Sequence, residues 1–191
     1  TYDMDCDALI LAPGHSARDT FRMLYEAGVP MEQKKFAIGV RIEHLQSQVS
    51  AAQFGPAWEQ LPPADYKLAC HLPNGRSAFT FCVCPGGQVV AAASDYGQAV
   101  TNGMSLRARD GKNINGGFLV GVGPEDFPGD DPLAGVRFQE QWERAAWLRG
   151  GESFRAPAQL VGDFLARRPS AGPGEVAPTY RPGVTWGALD G

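Results

Sequence analysis

The sequence predicts an α+β protein. It calls for a mostly antiparallel sheet between Phe36 and Val122, helices packed on one side of it, and a front strand-turn-helix that is the remnant of a flanking α/β layer. Three observations carry this. Residues 36–44, FAIGVRIEH, alternate apolar and polar side chains with the period of two of a half-buried strand. Asn74-Gly75 and Pro85-Gly86-Gly87 stand between β-prone runs, where hairpin turns belong. The long helical patterns follow the strands and are not interleaved with them, a segregated order.

In chain order, residues 8–12 (ALILA) have the length and composition of a buried strand, and Pro13-Gly14-His15 turns into a helix. Ser16 is placed to cap that helix, with Asp19 three residues on, and Phe21, Leu24 and Tyr25 form its apolar face. Gly28 stops it, and Gln33-Lys34-Lys35 is a solvated crossing into a second domain. Residues 45–54 read as a short polar helix ended by Gly55-Pro56, and residues 61–65 as a loop. Residues 66–72 and 78–83 form a hairpin around Asn74-Gly75, and the turn at residues 85–87 adds residues 89–93 to make a three-stranded meander. Val100 and residues 117–122 are further β-rich pieces. A long helix starts near Asp131-Pro132, carries Phe138, Trp142, Ala145, Ala146 and Arg149, and stops at Gly150-Gly151. A second helix covers residues 157–166, and Ser170-Ala171-Gly172-Pro173-Gly174 is a linker by composition. The expected organisation is thus a front remnant over residues 1–30, a middle domain over 31–168 and a linker over 169–191.

Composition excludes some partners. With 191 residues, 43% hydrophobic and 20% charged, the chain is ordinary for a globular domain, and its net charge of −4 and lack of a basic cluster argue against nucleic acid. No run of about 18 apolar residues is present, so no membrane span is expected. No charged start leads into an apolar core either, so no signal peptide is expected. Cys6, Cys70, Cys82 and Cys84 are spaced neither as a disulfide framework nor as C-x-x-C, which fits reduced thiols in a cytoplasmic bacterial protein. His15, His44 and His71 are too scattered for a zinc site, so no metal is expected.

The blocks ILAPGHSARDTFRMLYEAGVPME, FAIGVRIEH, LPPADYKL, TFCVCPGGQVVAAAS, NGMSLRARDG and FRAPAQLVGDFL follow one another in this order as far as residue 165. Together they resemble successive blocks of uncharacterised bacterial FAD-dependent dehydrogenases, the NAD(FAD)-utilising dehydrogenases. The resemblance implies that Gly14, His15 and Ser16 form the second flavin-contacting turn, at a helix start suited to an anion. The family turn reads Ala-Thr-Gly; here it is Ala12-Pro13-Gly14, and proline offers no N–H. The chain starts at Thr1 and has no G-x-G-x-x-G, which places the first flavin-binding half upstream of Thr1 as an expectation. FAD is therefore expected in the full-length parent and not tightly bound to this chain by itself. The implied function is the middle, substrate-covering domain of an FAD-dependent oxidoreductase. Its substrate would be a small, anionic molecule, and its electrons would be exchanged with NAD(P)H or another donor. The alternative is a non-catalytic binding or interaction module.

Two groups of residues are candidates for the chemistry. In Cys82-Val83-Cys84-Pro85-Gly86-Gly87, Cys84 stands before two glycines whose amides can stabilise a thiolate, making it a candidate catalytic thiol. Strand alternation puts Cys82 and Cys84 on one face, where both can equally be small core residues. Arg41 is a candidate anion binder and His44 a candidate proton donor, the alternative being an exposed Arg41–Glu43 ion pair. Residues 102–116 gather Arg107, Arg109, Lys112, Asn113 and Asn115 in a glycine-rich segment, either a solvated loop or one that faces substrate. The expected substrate surface combines Arg41, Gly86, Gly87, Arg107, Arg109 and Asn113.

Overall fold

The computed structural model describes residues 3–188. The alternating run becomes the strand β1 (Phe36–Leu45), and the fold grows around it. The chain before it holds one helix, α1 (Arg18–Glu26). After β1 come α2 (Gln46–Phe54) and a 3-10 turn over Gly55–Gln60, with the strands β2 (Ala69–His71) and β3 (Ser77–Cys84) beyond. Next are β4 (Gly87–Ala91), β5 (Thr101–Ser105) and β6 (Asn113–Val122), then the long helix α3 (Ala134–Arg149). The described chain finishes with β7 (Ala156–Ala158), the short helix α4 (Val161–Leu165) and β8 (Val184–Trp186).

The main sheet has the order β1-β6-β3-β2 and is antiparallel throughout, which bears out the α+β class. The hairpin at Asn74-Gly75 forms as read, with Gly75 at φ +81° and the Asn74 side chain accepting from the Arg76 amide at 3.1 Å. Phe36 and Ile38 of β1 meet Val122 of β6, Phe127, Ala134 and Phe138, the last two from α3. Phe36 stacks on Phe127 with centroids 5.2 Å apart, and Phe138 meets Phe36 edge-on, so α3 is held to the sheet by aromatic packing.

Several expectations are corrected. Residues 8–12 form no strand: Leu9 and Ile10 are 80% and 91% exposed, because no neighbouring strand among the described residues offers them a ladder. Ser16 does not cap α1; its hydroxyl lies 3.4 Å from His15 Nε2, and the helix starts two residues later without a side-chain cap. The meander does not form. Pro85 and Gly86, the latter at φ +51°, turn the chain out of the sheet, and β4 pairs with β5 in a separate two-stranded sheet. The second neighbour of β3 is the distant β6. Much of the supposed polar loop is therefore strand, with residues 101–105 in β5 and 113–116 in β6. Of the helix read over residues 157–166 only α4 exists, because Ala156–Ala158 pairs in parallel with Val184–Trp186.

The segment read as a linker is packed. Tyr180 is buried against Val89 and Ala156, and its hydroxyl donates to the Phe154 carbonyl at 2.9 Å. Thr179 donates its hydroxyl to the Glu43 carboxylate at 2.6 Å and accepts from the Val89 amide at 2.8 Å. Glycine and proline marked the bends of this tail, not its freedom.

Candidate functional site

Strand alternation puts Arg41 and Glu43 on one face of β1, and the register sets Gly117 opposite Arg41 and Asn115 opposite Glu43. They do not pair with each other. Glu43 accepts from Thr179 and from the Asn113 amide at 3.0 Å, while Arg41 turns to three neutral oxygens. Its Nη1 donates to the Cys82 carbonyl at 2.7 Å and to Asn115 Oδ1 at 3.0 Å, and its Nη2 donates to Asn102 Oδ1 at 2.8 Å.

The arrangement is built by backbone irregularities. A bulge between Phe81 and Cys84 puts Cys82 at φ +47°, a conformation costly for a side-chain-bearing residue, and its carbonyl receives the guanidinium. The same bulge breaks the alternation, so Cys82 is exposed and Cys84 buried, contrary to the shared face expected from spacing. Across the cluster, a Cβ on Gly103 would overlap Asn115 Oδ1 and come within 2.6 Å of Arg41 Nη1. Glycine there leaves room for the guanidinium.

Burial and the neighbouring Cys82 thiol push the Cys84 thiol up from its ordinary value, and the Arg41 guanidinium pulls weakly the other way. Cys84 is thus a protonated thiol at neutral pH, its Sγ 3.4 Å from the Cys82 carbonyl that accepts from it. His44 packs edge-on against Tyr66, and burial lowers its pKa, so the neutral imidazole is favoured. It lies on the opposite face of β1 from Arg41.

The other candidates are spread over the molecule. The close approach that Gly86 permits is used by the chain itself, since a Cβ there would overlap the Arg109 carbonyl, and Gly111 donates to the Gly86 carbonyl at 3.1 Å. Gly87 is similarly filled by the Met104 carbonyl. These glycines dock residues 106–112 onto the turn. A depression of about 150 Å³ remains there, lined by Gly86, Gly87, Leu106, Asp110, Lys112 and Thr179 among others. Arg107 and Arg109 are exposed and outside its lining. Asn113 is buried and joins Glu43 to the Ala177 carbonyl at 2.9 Å. The structure therefore brings Arg41 to Cys82 and Asn115, and Gly86 to Arg109, but does not gather all three segments in one pocket. Asn102 and Gly103 were missed as site residues, and Asn115 was read only as part of the polar segment, not as a partner of Arg41; their signal was amide side chains beside glycine inside β-prone sequence.

The family model described as FAD-dependent protein, C-terminal domain-like matches residues 35–191. The chain belongs to that family. An uncharacterized protein of Clostridium beijerinckii (strain ATCC 51743 / NCIMB 8052) is 49% identical over 190 residues. That alignment takes in 98% of this chain and 36% of the relative, so the chain spans about a third of its relative's length.

Membership of this family makes the fit of FAD to these residues a structural question. Gly14 is open, with nothing within 4 Å of the place a Cβ would take, and the turn of Gly14, His15 and Ser16 is exposed. A whole dinucleotide needs enclosure, and the depression at Gly86 is well below the about 300–1,000 Å³ of small-molecule pockets. Neither place encloses a flavin. Among the described residues no three His, Cys, Asp or Glu side chains are grouped to hold a metal ion, and no helix is long and apolar enough to cross a membrane.

Proposed function

We propose that this chain is the middle, substrate-covering domain of an FAD-dependent oxidoreductase of the dehydrogenase type. The rest of the longer protein would hold the flavin, and electrons would be exchanged with NAD(P)H or another donor in the cytoplasm. The observation that carries the reading is the family match over residues 35–191 together with the relative's greater length. The flavin supplies redox chemistry, and a protein domain contributes orientation, electrostatics and exclusion of water.

The covering role draws support from one face of the main sheet. Val40 lies opposite Phe118, Phe118 opposite Thr80, and Leu68 joins Thr80 through backbone and hydroxyl bonds. Val40, Phe118 and Leu68 are 62%, 47% and 63% exposed, three apolar side chains in one row that only the buried Thr80 interrupts, where a solvated face would carry polar side chains. Such a row suits burial against a neighbouring domain.

The test uses the full-length protein. It is expected to purify with the absorbance bands of an oxidised flavin and to bleach on reduction. Val40→Glu in the row should retain flavin yet slow substrate-dependent reduction. A full-length protein without flavin, even after FAD is supplied, refutes the oxidoreductase and leaves the non-catalytic binding module.

A further inference from the structure

We propose that Arg41, set among the Cys82 carbonyl, Asn102 and Asn115, is a carboxylate-binding site, which receives the carboxylate of the covered substrate. The word substrate rests on the function proposed above; the anion site rests on the geometry. Arg18, Arg76 and Arg137 each close on a carboxylate, of Glu143, Asp126 and Asp131 respectively. Arg41 instead meets three neutral oxygens, so its positive charge is not neutralised among the described residues. The carboxylate on its face two residues along, Glu43, is already taken by Thr179 and Asn113.

Donors outnumber acceptors there. A guanidinium has five N–H donors; three go to these oxygens and the Cys84 sulfur is a further neighbour, which leaves at least one. Asn115 is fully buried and spends its Oδ1 on Arg41, while its Nδ2 has no partner. A buried donor without an acceptor is costly and rare, and here it stands beside a cation with a donor to spare. What the cluster lacks is an acceptor carrying negative charge. One cation with neutral donors balances a monoanion, and the planar fork of arginine matches a carboxylate bidentately. A phosphate dianion would leave a net negative charge in a half-buried place. The site is also held rigid before any ligand arrives, by the bulge at Cys82 and the space kept by Gly103.

The experiment titrates the 191-residue chain with sodium acetate at constant ionic strength, set by chloride, and follows amide resonances of Cys82, Gly103 and Asn115, including the Asn115 side-chain NH₂. Saturable shifts confined to these groups are expected, weakened at least tenfold in Arg41→Gln and in Asn115→Asp, whose own carboxylate would occupy the place. Should Arg41→Gln fail to fold, Asn115→Asp decides, and unchanged acetate affinity in that folded variant overturns the site. Shifts that chloride alone reproduces, or that never saturate, overturn it as well. Inorganic phosphate binding tenfold more tightly than acetate at pH 8 overturns the carboxylate assignment. Acetate binding alongside a flavin-free full-length protein keeps the site and removes the oxidoreductase; a flavin-bearing protein whose Arg41 ignores acetate does the reverse.

Discussion

Replacing Arg18 by methionine tests what holds the front of the chain to the domain. The Arg18 guanidinium is 6% exposed and donates to both Glu143 oxygens at 2.8 and 2.7 Å, with Gln98 at 3.1 Å and Gln139 at 3.4 Å. A second tie of α1 to α3 is the exposed Arg22–Glu140 pair, worth about 1 kcal/mol or less. Removing one partner of a buried ion pair costs about 3–5 kcal/mol; Glu143 keeps some contact with water, so the low end, about 3 kcal/mol, applies. With only nine residues, α1 is too short to persist undocked, so losing the pair should melt it. In hydrogen exchange, about 3 kcal/mol corresponds to about a 100-fold loss of protection in residues 21–26. A global loss of that size would lower Tm by about 6–12 °C. Because α1 docks as a separate unit, the Tm change should be smaller than that while the exchange change is full-sized. Unchanged exchange in α1 with Arg18→Met would refute the reasoning, and so would a coupling near zero in an Arg18/Glu143 double-mutant cycle.

Two further outcomes are expected. Gly86→Ala forces a side chain onto the Arg109 carbonyl and into a left-handed backbone conformation, at about 2–4 kcal/mol for overpacking and strain together; denaturant unfolding should show that loss, whereas Gly121→Ala, in open space, should lose much less. Acid should weaken the fold in two steps. Burial holds His44 below 6.5, so stability present above that pH is lost as pH falls beneath it. Arg76 and the Gly123 amide hold Asp126 at about 2 against an ordinary 3.8, so its contribution is intact above about 4 and lost as pH falls toward 2. Thermal melts from pH 8 to pH 3 should lose the upper step in His44→Gln and the lower one in Arg76→Met; an unaltered profile in either variant removes that group from the account.

Local patterns determined the elements whose reasons are local. The period of two in residues 36–44 became β1, Asn74-Gly75 became the β2–β3 hairpin, and residues 134–149 became α3, because alternation, turn chemistry and helical spacing act within a few residues. Tertiary structure decided what depends on partners far along the chain. The apolar residues 8–12 read as a strand, yet a strand exists only beside another, and none of the described residues supplies one. β3 was expected beside β4 and found β6 instead, and the glycine-rich tail was tied down by Glu43, 136 residues before Thr179. Arg41 was legible as a candidate anion binder from its residue type. Its surroundings were not, since Cys82, Asn102 and Asn115 reach it from three other strands or strand ends, and the bulge that turns the Cys82 carbonyl toward it leaves no mark in a regular alternating run.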